Sequence, residues 1–312
     1  MIKKVTDLNN TATKLRVLIA GYPGVGKSTC ALSAPKPLLV DTDRGIMRVS
    51  AKHRTDGIIQ PESYEELIED LTKNDLSDYE TIIFDTGMSL FSLMKYHLIK
   101  MDVKNGNRNG SLSQQGYGAI GREFQSLMDL AYYKLNKNVV VIFHSKEEKD
   151  GDNTKLRIMI EGQTKDLIWQ YMDVGGFIEM ENKDRVIQFQ NCERFFAKRT
   201  YGIKEKYIIN DLNSGGENKF LTNLFGEVQA NIKKEQMELQ EQRDRYNEIM
   251  EKYDFDDPAV DINTLFEMIS KEENVLTSII ELKAKLQKKA KDGGYKYDKQ
   301  LQKFILNDAK SA

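Results

Sequence analysis

Nine residues near the start of the chain, Gly21-Tyr22-Pro23-Gly24-Val25-Gly26-Lys27-Ser28-Thr29, limit what it can fold into more than any other feature. They match the pattern G-x-x-x-x-G-K-S/T, and the apolar run 15–20 leads directly into them. Between a strand and a helix this pattern is a phosphate cradle: its glycines let successive backbone N–H groups turn inward, and the helix that follows adds its N-terminal partial charge. Lys27 is then expected to reach the β- and γ-phosphates of ATP, and the Ser28 hydroxyl to bind Mg²⁺. Pro35 and Pro37 end that helix quickly.

Short apolar runs recur at 37–40, 81–84 and 139–143, with helical spacing at 63–71, 87–101 and 117–135 between them. Strands alternating with helices predict an α/β fold, a mostly parallel sheet flanked by helices. After residue 143 the texture changes. A charged, turn-rich stretch at 146–153 precedes strand-like pieces at 174–180, 186–190 and 195–200, which predict an antiparallel β extension. The polar, glycine-rich segment 105–118 reads as a long loop. Residues 220–253 are nearly all helix formers; Pro258 separates them from a helical stretch at 262–290, and Gly293-Gly294 from a last one at 298–306. The expected division is an ATPase core over 1–225 and an all-helical C-terminal extension over 226–312.

Asp85 ends the third apolar run, where a carboxylate can hold the Mg²⁺ shell. A complete strand lies between it and the phosphate loop, which argues for the ATPase division with an extra strand and against nucleoside kinases or GTPases. Hydrolysis also needs a carboxylate to orient or deprotonate the attacking water. In the AAA+ layout this is a Glu after the strand-end Asp, but here Thr86 follows Asp85. Asp43, at the tip of the second strand, is placed for that task, with Asp41 as the alternative. His144, ending the fourth strand, is a candidate sensor of the γ-phosphate. No His/Cys spacing indicates a metal cluster.

The order of these elements resembles that of RecA-like recombinase cores: the phosphate loop, Asp41-Thr42-Asp43, Ile82-Ile83-Phe84-Asp85, the strand ending at His144, and Phe196-Ala197-Lys198-Arg199-Thr200-Tyr201-Gly202. More narrowly, over residues 12–225 the chain resembles small phage-encoded RecA-like ATPases that act as single-strand annealing proteins, the Sak-four group. The resemblance implies a homo-oligomer with ATP between subunits. Lys198 and Arg199 would then reach the neighbouring site as cations that stabilise charge on the transferred phosphoryl group. It also implies that 105–118 and 146–165 face single-stranded DNA, and that a single-strand-binding protein is a further partner. RecA's N-terminal oligomerisation elements have no counterpart ahead of residue 21, so the resemblance does not extend to a RecA-like filament, while a ring or short polymer stays compatible with it.

The formal net charge of -2 advertises no nucleic acid, but it sums unlike segments. Residues 183–206 carry seven Lys/Arg against three acids and 283–303 eight Lys against two, whereas 227–257 carries ten acids and five bases. With Tyr295, Tyr297 and Phe304 nearby, the lysine-rich segment is a candidate single-strand contact, or else a solvated helix with its aromatics packed inward. No run approaches the roughly 20 apolar residues of a membrane span. The start lacks an apolar signal core, and Cys30 and Cys192 form no disulfide framework, so a cytoplasmic location is expected. The reading is therefore an Mg²⁺-dependent ATPase of phage recombination that binds single-stranded DNA and promotes annealing or strand exchange. The alternatives are a nucleotide-gated adaptor that docks its helical tail onto a replication or packaging protein, or an AAA+-type helicase loader.

Overall fold

A computed structural model of the chain describes residues 13–151, 153–160, 164–209, 216–252, 255, 257, 259–272 and 279–307. The apolar run before the phosphate loop is strand β1 (Arg16–Gly21), followed by α1 (Lys27–Ala31), β2 (Pro37–Asp41), β3 (Gly57–Ile59), α2 (Tyr64–Lys73), β4 (Thr81–Asp85), α3 (Gly87–Met101) and α4 (Gln114–Asp129). Then come β5 (Asn138–Asp150), β6 (Asn153–Ile158), α5 (Thr164–Tyr171), β7 (Val174–Glu181), β8 (Asp184–Gln188) and β9 (Lys206–Ile209). The chain ends in α6 (Phe220–Lys252), α7 (Ile262–Glu272), α8 (Ile279–Asp292) and the strands β10 (Tyr295–Asp298) and β11 (Lys303–Leu306). It divides into two compact units, 12–231 and 232–312.

In the first unit the strand order is β3-β2-β4-β5-β1-β7-β8-β9. Every pairing from β3 to β7 is parallel, and β7–β8, β8–β9 and β5–β6 are antiparallel. Strands inside a parallel sheet are covered on both faces, which is why β1, β2, β4 and the first half of β5 read as unbroken apolar runs. The core centres on Phe91, Phe124 and Phe143, with ring centroids 5.1 Å apart for Phe91–Phe124 and 6.4 Å for Phe91–Phe143. Arg16 and Asp173 clamp the start of β1 to the entry of β7 with two side-chain bonds, at 3.1 and 2.8 Å. The expected α/β architecture with an antiparallel extension is the one observed.

Several local expectations are corrected. The loop over 105–118 is shorter, because α4 starts at Gln114 with the Ser113 hydroxyl accepting from the Gly116 N–H. Gly116 is needed for closeness: a Cβ there would lie 2.1 Å from the Asn105 carbonyl oxygen. The charged stretch after residue 143 is no turn; β5 continues to Asp150 and returns as β6, forming a hairpin arm. Residues 161–163 of the expected DNA-facing segment lie outside the described residues. Segment 195–200 makes only isolated bridges, Leu156 with Phe195 and Gly175 with Lys198, and the outer strand is β9 instead. Its alternation reflects Phe195 and Ala197 dipping into the core while the chain crosses the strand ends.

The second unit is not all helical. Residues 298–306, expected as a helix, contribute the tip and return strand of the β10–β11 hairpin. Asp298 accepts from the N–H groups of Gln300 and Leu301, and Gln302 takes a left-handed φ of 48°, so the turn is encoded locally. Pro258 and residues 273–278, inside the stretch expected as one helix, lie outside the described residues.

Phe124 is fully buried at the centre of the core, so Phe124→Ala should lower stability in urea unfolding by about 3–5 kcal/mol. A loss below about 1 kcal/mol would mean that the packing around it is not as described.

Candidate functional site

The parallel register brings the C-terminal ends of four strands to one edge, where open α/β sheets bind ligands. Gly21 pairs with His144, and Asp41 with Asp85, so the phosphate loop, both acidic strand ends and the histidine share that edge. The loop itself turns through Gly24 and Gly26, at φ 82° and 87°, a left-handed backbone that favours glycine. Gly26 is the N-cap of α1.

Lys27 is only 5% exposed, and its ammonium donates to the carbonyls of Gly21 at 2.9 Å and Tyr22 at 2.7 Å. Burial lowers its pKa to about 8, partly opposed by the nearby Asp85 carboxylate. Asp85 is buried in turn, with the Ser28 hydroxyl close by. Its pKa is pushed up to about 6, chiefly by burial and further by Asp43 and Asp41, against the nearby Ser28 hydroxyl and Lys27. The peptide between Asp85 and Thr86 is cis, and Thr42 donates through its N–H and hydroxyl to the Asp85 carbonyl, which ties the tips of β2 and β4.

The two carboxylates at the tip of β2 do different things. Asp41 is 1% exposed and fully engaged, accepting from the N–H of Gly45 at 2.7 Å, the N–H of Ile46 at 3.2 Å and the Gln60 amide at 2.8 Å. It folds the turn after β2. Asp43 receives Arg48 on one oxygen at 2.8 Å, while its other oxygen is buried without a partner. His144 is half-buried and its Nδ1 is likewise unpartnered. Burial, with Lys27 adding to it, holds the imidazole below its ordinary range and therefore uncharged at neutral pH. Unpaired polar atoms of Asp43 and His144 thus lie beside Lys27 and Asp85, a set suited to polar ligand atoms.

A hydroxyl and a carboxylate side by side suit a hard cation that takes oxygen ligands. Ser28 and Asp85 would hold Mg²⁺ there, the remaining positions falling to phosphate and water oxygens. No group of three or more His, Cys, Asp or Glu among the described residues forms a metal site by itself.

Lys198 departs from the expectation. Its ammonium donates to the carbonyls of Trp169 and Met172 at the end of α5, so it is spent inside its own chain. Arg199 is the outward member of the pair, in a surface ion pair with Glu205 at 3.3 Å. Three groups at the edge were not singled out from sequence. Arg185 of β8 donates to the Val25 carbonyl at 2.7 Å and lies against Gly26, while Gln60 and Arg48 hold the two aspartates of β2. None has a local signal, since each acts across a fold contact. Last, the Tyr22 hydroxyl in the loop donates to Glu147 of the β5–β6 arm at 2.8 Å.

The contrast between the aspartates is testable. Asp41→Ala strands two backbone N–H groups and an amide and should cost about 2–4 kcal/mol in urea unfolding, whereas Asp43→Ala should cost less than about 1 kcal/mol. Equal losses would contradict the assignment.

Among known families, the model AAA_24, described as an AAA domain, matches residues 13–201, which span β1 to the segment carrying Lys198 and Arg199. No curated protein matches the chain. The match covers more than half of the chain and includes the phosphate loop and its acidic partners: the chain belongs to this family of P-loop, AAA-type ATPase domains.

Proposed function

We propose that the protein is an Mg²⁺-dependent ATPase of DNA recombination that binds single-stranded DNA, promotes annealing or strand exchange as a homo-oligomer, and resembles in this the phage single-strand annealing ATPases. The observation that carries the coupling is the hydrogen bond from Tyr22 to Glu147. It joins the loop that would hold the phosphates to an arm that projects beyond them, and β5 runs unbroken from His144 into the same arm.

On the arm, the β5–β6 register places Lys146 opposite Arg157 and Glu148 opposite Lys155 on one face, while Leu156 and Ile158 are buried on the other. A cavity of about 550 Å³ beside it is lined by Trp169, Phe196, Arg157 and Arg199. Phe196 is 42% exposed and packs edge-on against Trp169 at 5.0 Å. Aromatic faces beside guanidinium groups accept unpaired bases with little regard to their identity. This favours single strands over duplex for the arm.

For hydrolysis, Lys27 would leave the loop carbonyls for the β- and γ-phosphates, and Asp43 would orient the attacking water through its free oxygen. His144, neutral and unpartnered, would read the γ-phosphate. Mg²⁺, when bound, neutralises charge shared by the β- and γ-phosphates. Arg199 would complete a neighbouring subunit's site, which makes turnover depend on assembly.

ATP turnover should rise when single-stranded DNA is added and rise with protein concentration, and Lys27→Ala should abolish it. Tyr22→Phe should keep basal turnover while losing most of the DNA stimulation. Turnover by Lys27→Ala at the normal rate, or full stimulation in Tyr22→Phe, would overturn the reading.

A further inference from the structure

Residues 232–312 fold as a unit with its own apolar core, and we propose that this unit binds double-stranded DNA, with α8 in the major groove and the β10–β11 hairpin against the phosphate backbone. In the core, Ile262, Leu265 and Ile269 of α7 pack with Leu282, Leu286 and Ala290 of α8. That spacing fixes which side of α8 is left outside: Ile280, Glu281, Ala284, Gln287, Lys288 and Lys291 form one exposed stripe. Small Ala284 at its middle and the lysines toward its C-terminal end suit close approach to a groove walled by phosphates. At 1.5 Å per residue the 14 residues of α8 span about 21 Å, and a major groove about 12 Å wide admits one such helix.

The hairpin is held in a defined place. Tyr297 and Phe304 pack with Phe266 of α7 at 5.3 and 5.6 Å, and the Asn263 side chain both donates to the Phe304 carbonyl and accepts from its N–H. These contacts engage the aromatic side of the hairpin within the unit, in the manner of the inward-packed alternative, with Tyr297 still 43% exposed. Alternation along the strands puts Lys296 and Lys303 on the opposite face, and Lys299 lies in the turn. Only Gly293 and Gly294 separate α8 from β10, so these lysines continue the basic end of α8. A helix with one face open, flanked by a basic hairpin, has the dimensions that a major groove admits.

Charge agrees with shape. Residues 279–307 hold eight lysines against Glu281, Asp292 and Asp298. Glu281 already accepts from the Tyr246 hydroxyl, and the Lys289 ammonium is turned inward onto the carbonyls of Phe255 and Asp257. Among the described residues Lys288, Lys291, Lys296 and Lys299 are exposed, and Lys303 stands opposite Asp298, whose carboxylate accepts from the turn N–H groups of Gln300 and Leu301, so the lysine charge faces solvent. The proposal does not rest on the ATPase reading, because the site lies in the other unit.

The test uses the full chain without nucleotide and a short fluorescein-labelled DNA duplex, followed by anisotropy across a salt series. Lys288→Ala, Lys291→Ala, Lys296→Ala and Lys299→Ala combined should weaken duplex binding more than about tenfold and flatten the slope of log K against log salt by about three to four units, near 0.9 per lost phosphate contact. The matching Lys→Arg variant should bind like the parent. Far-ultraviolet circular dichroism and urea unfolding should match the parent in both variants, which shows that the second unit stays folded. Unchanged duplex affinity and slope would overturn the proposal, and so would an equal loss of binding to a single strand of the same length.

Discussion

The parallel register that brings Ser28 beside Asp85 is the constraint on which the rest of the first unit depends. Ser28 follows β1, Asp85 ends β4, and β5 lies between those strands, so the two side chains meet only when three parallel strands are in register. The register is expensive to miss: a slip of one residue would turn every core side chain of a strand to the other face. With it in place, burial leaves Asp85 costly to ionise and Lys27 costly to protonate, and each partly relieves the other. The folded chain therefore stabilises a cluster of polar groups that is short of positive charge, with Asp41, Asp43 and Asp85 close together. A nucleotide accompanied by a divalent cation answers that shortage.

What was legible in the sequence follows from the same physics. Strands covered on both faces have to be apolar throughout, so β1, β2, β4 and the start of β5 stood out, and each ended in a residue of the edge: Gly21, Asp41, Asp85, His144. Less legible were features set by contacts distant in the chain. Asp41 and Asp43 are alike in composition, and only the N–H groups of Gly45 and Ile46 and the amide of Gln60 make one a structural anchor. Lys198 and Arg199 are adjacent cations, yet the carbonyls closing α5 capture the first. Gly116 read as a loop residue because closeness to Asn105 and flexibility ask for the same residue type. The β10–β11 hairpin was hidden by lysines that favour either structure, while Phe266, remote in sequence, decided the matter.

Thr86 after Asp85 distinguishes this member of the AAA domain family from the AAA+ layout with its adjacent glutamate. Asp43, with its free oxygen, lies just past the end of β2, whose tip is tied to Asp85 by Thr42, while β5 extends into the arm. The phosphate loop and the arm are joined by the Tyr22–Glu147 hydrogen bond, and the lysine-bearing unit has its own core.

The central claim is that Ser28 and Asp85 together form the cation half of a nucleotide site, and calorimetric titration of ATP with and without Mg²⁺ tests it most directly. The parent chain should lose more than about tenfold in ATP affinity when Mg²⁺ is removed, a difference of about 1.4 kcal/mol or more. Asp85→Asn, which keeps the size of the side chain, should bind ATP weakly and equally in both conditions. An Asp85→Asn chain that retains the full Mg²⁺ dependence would contradict the account.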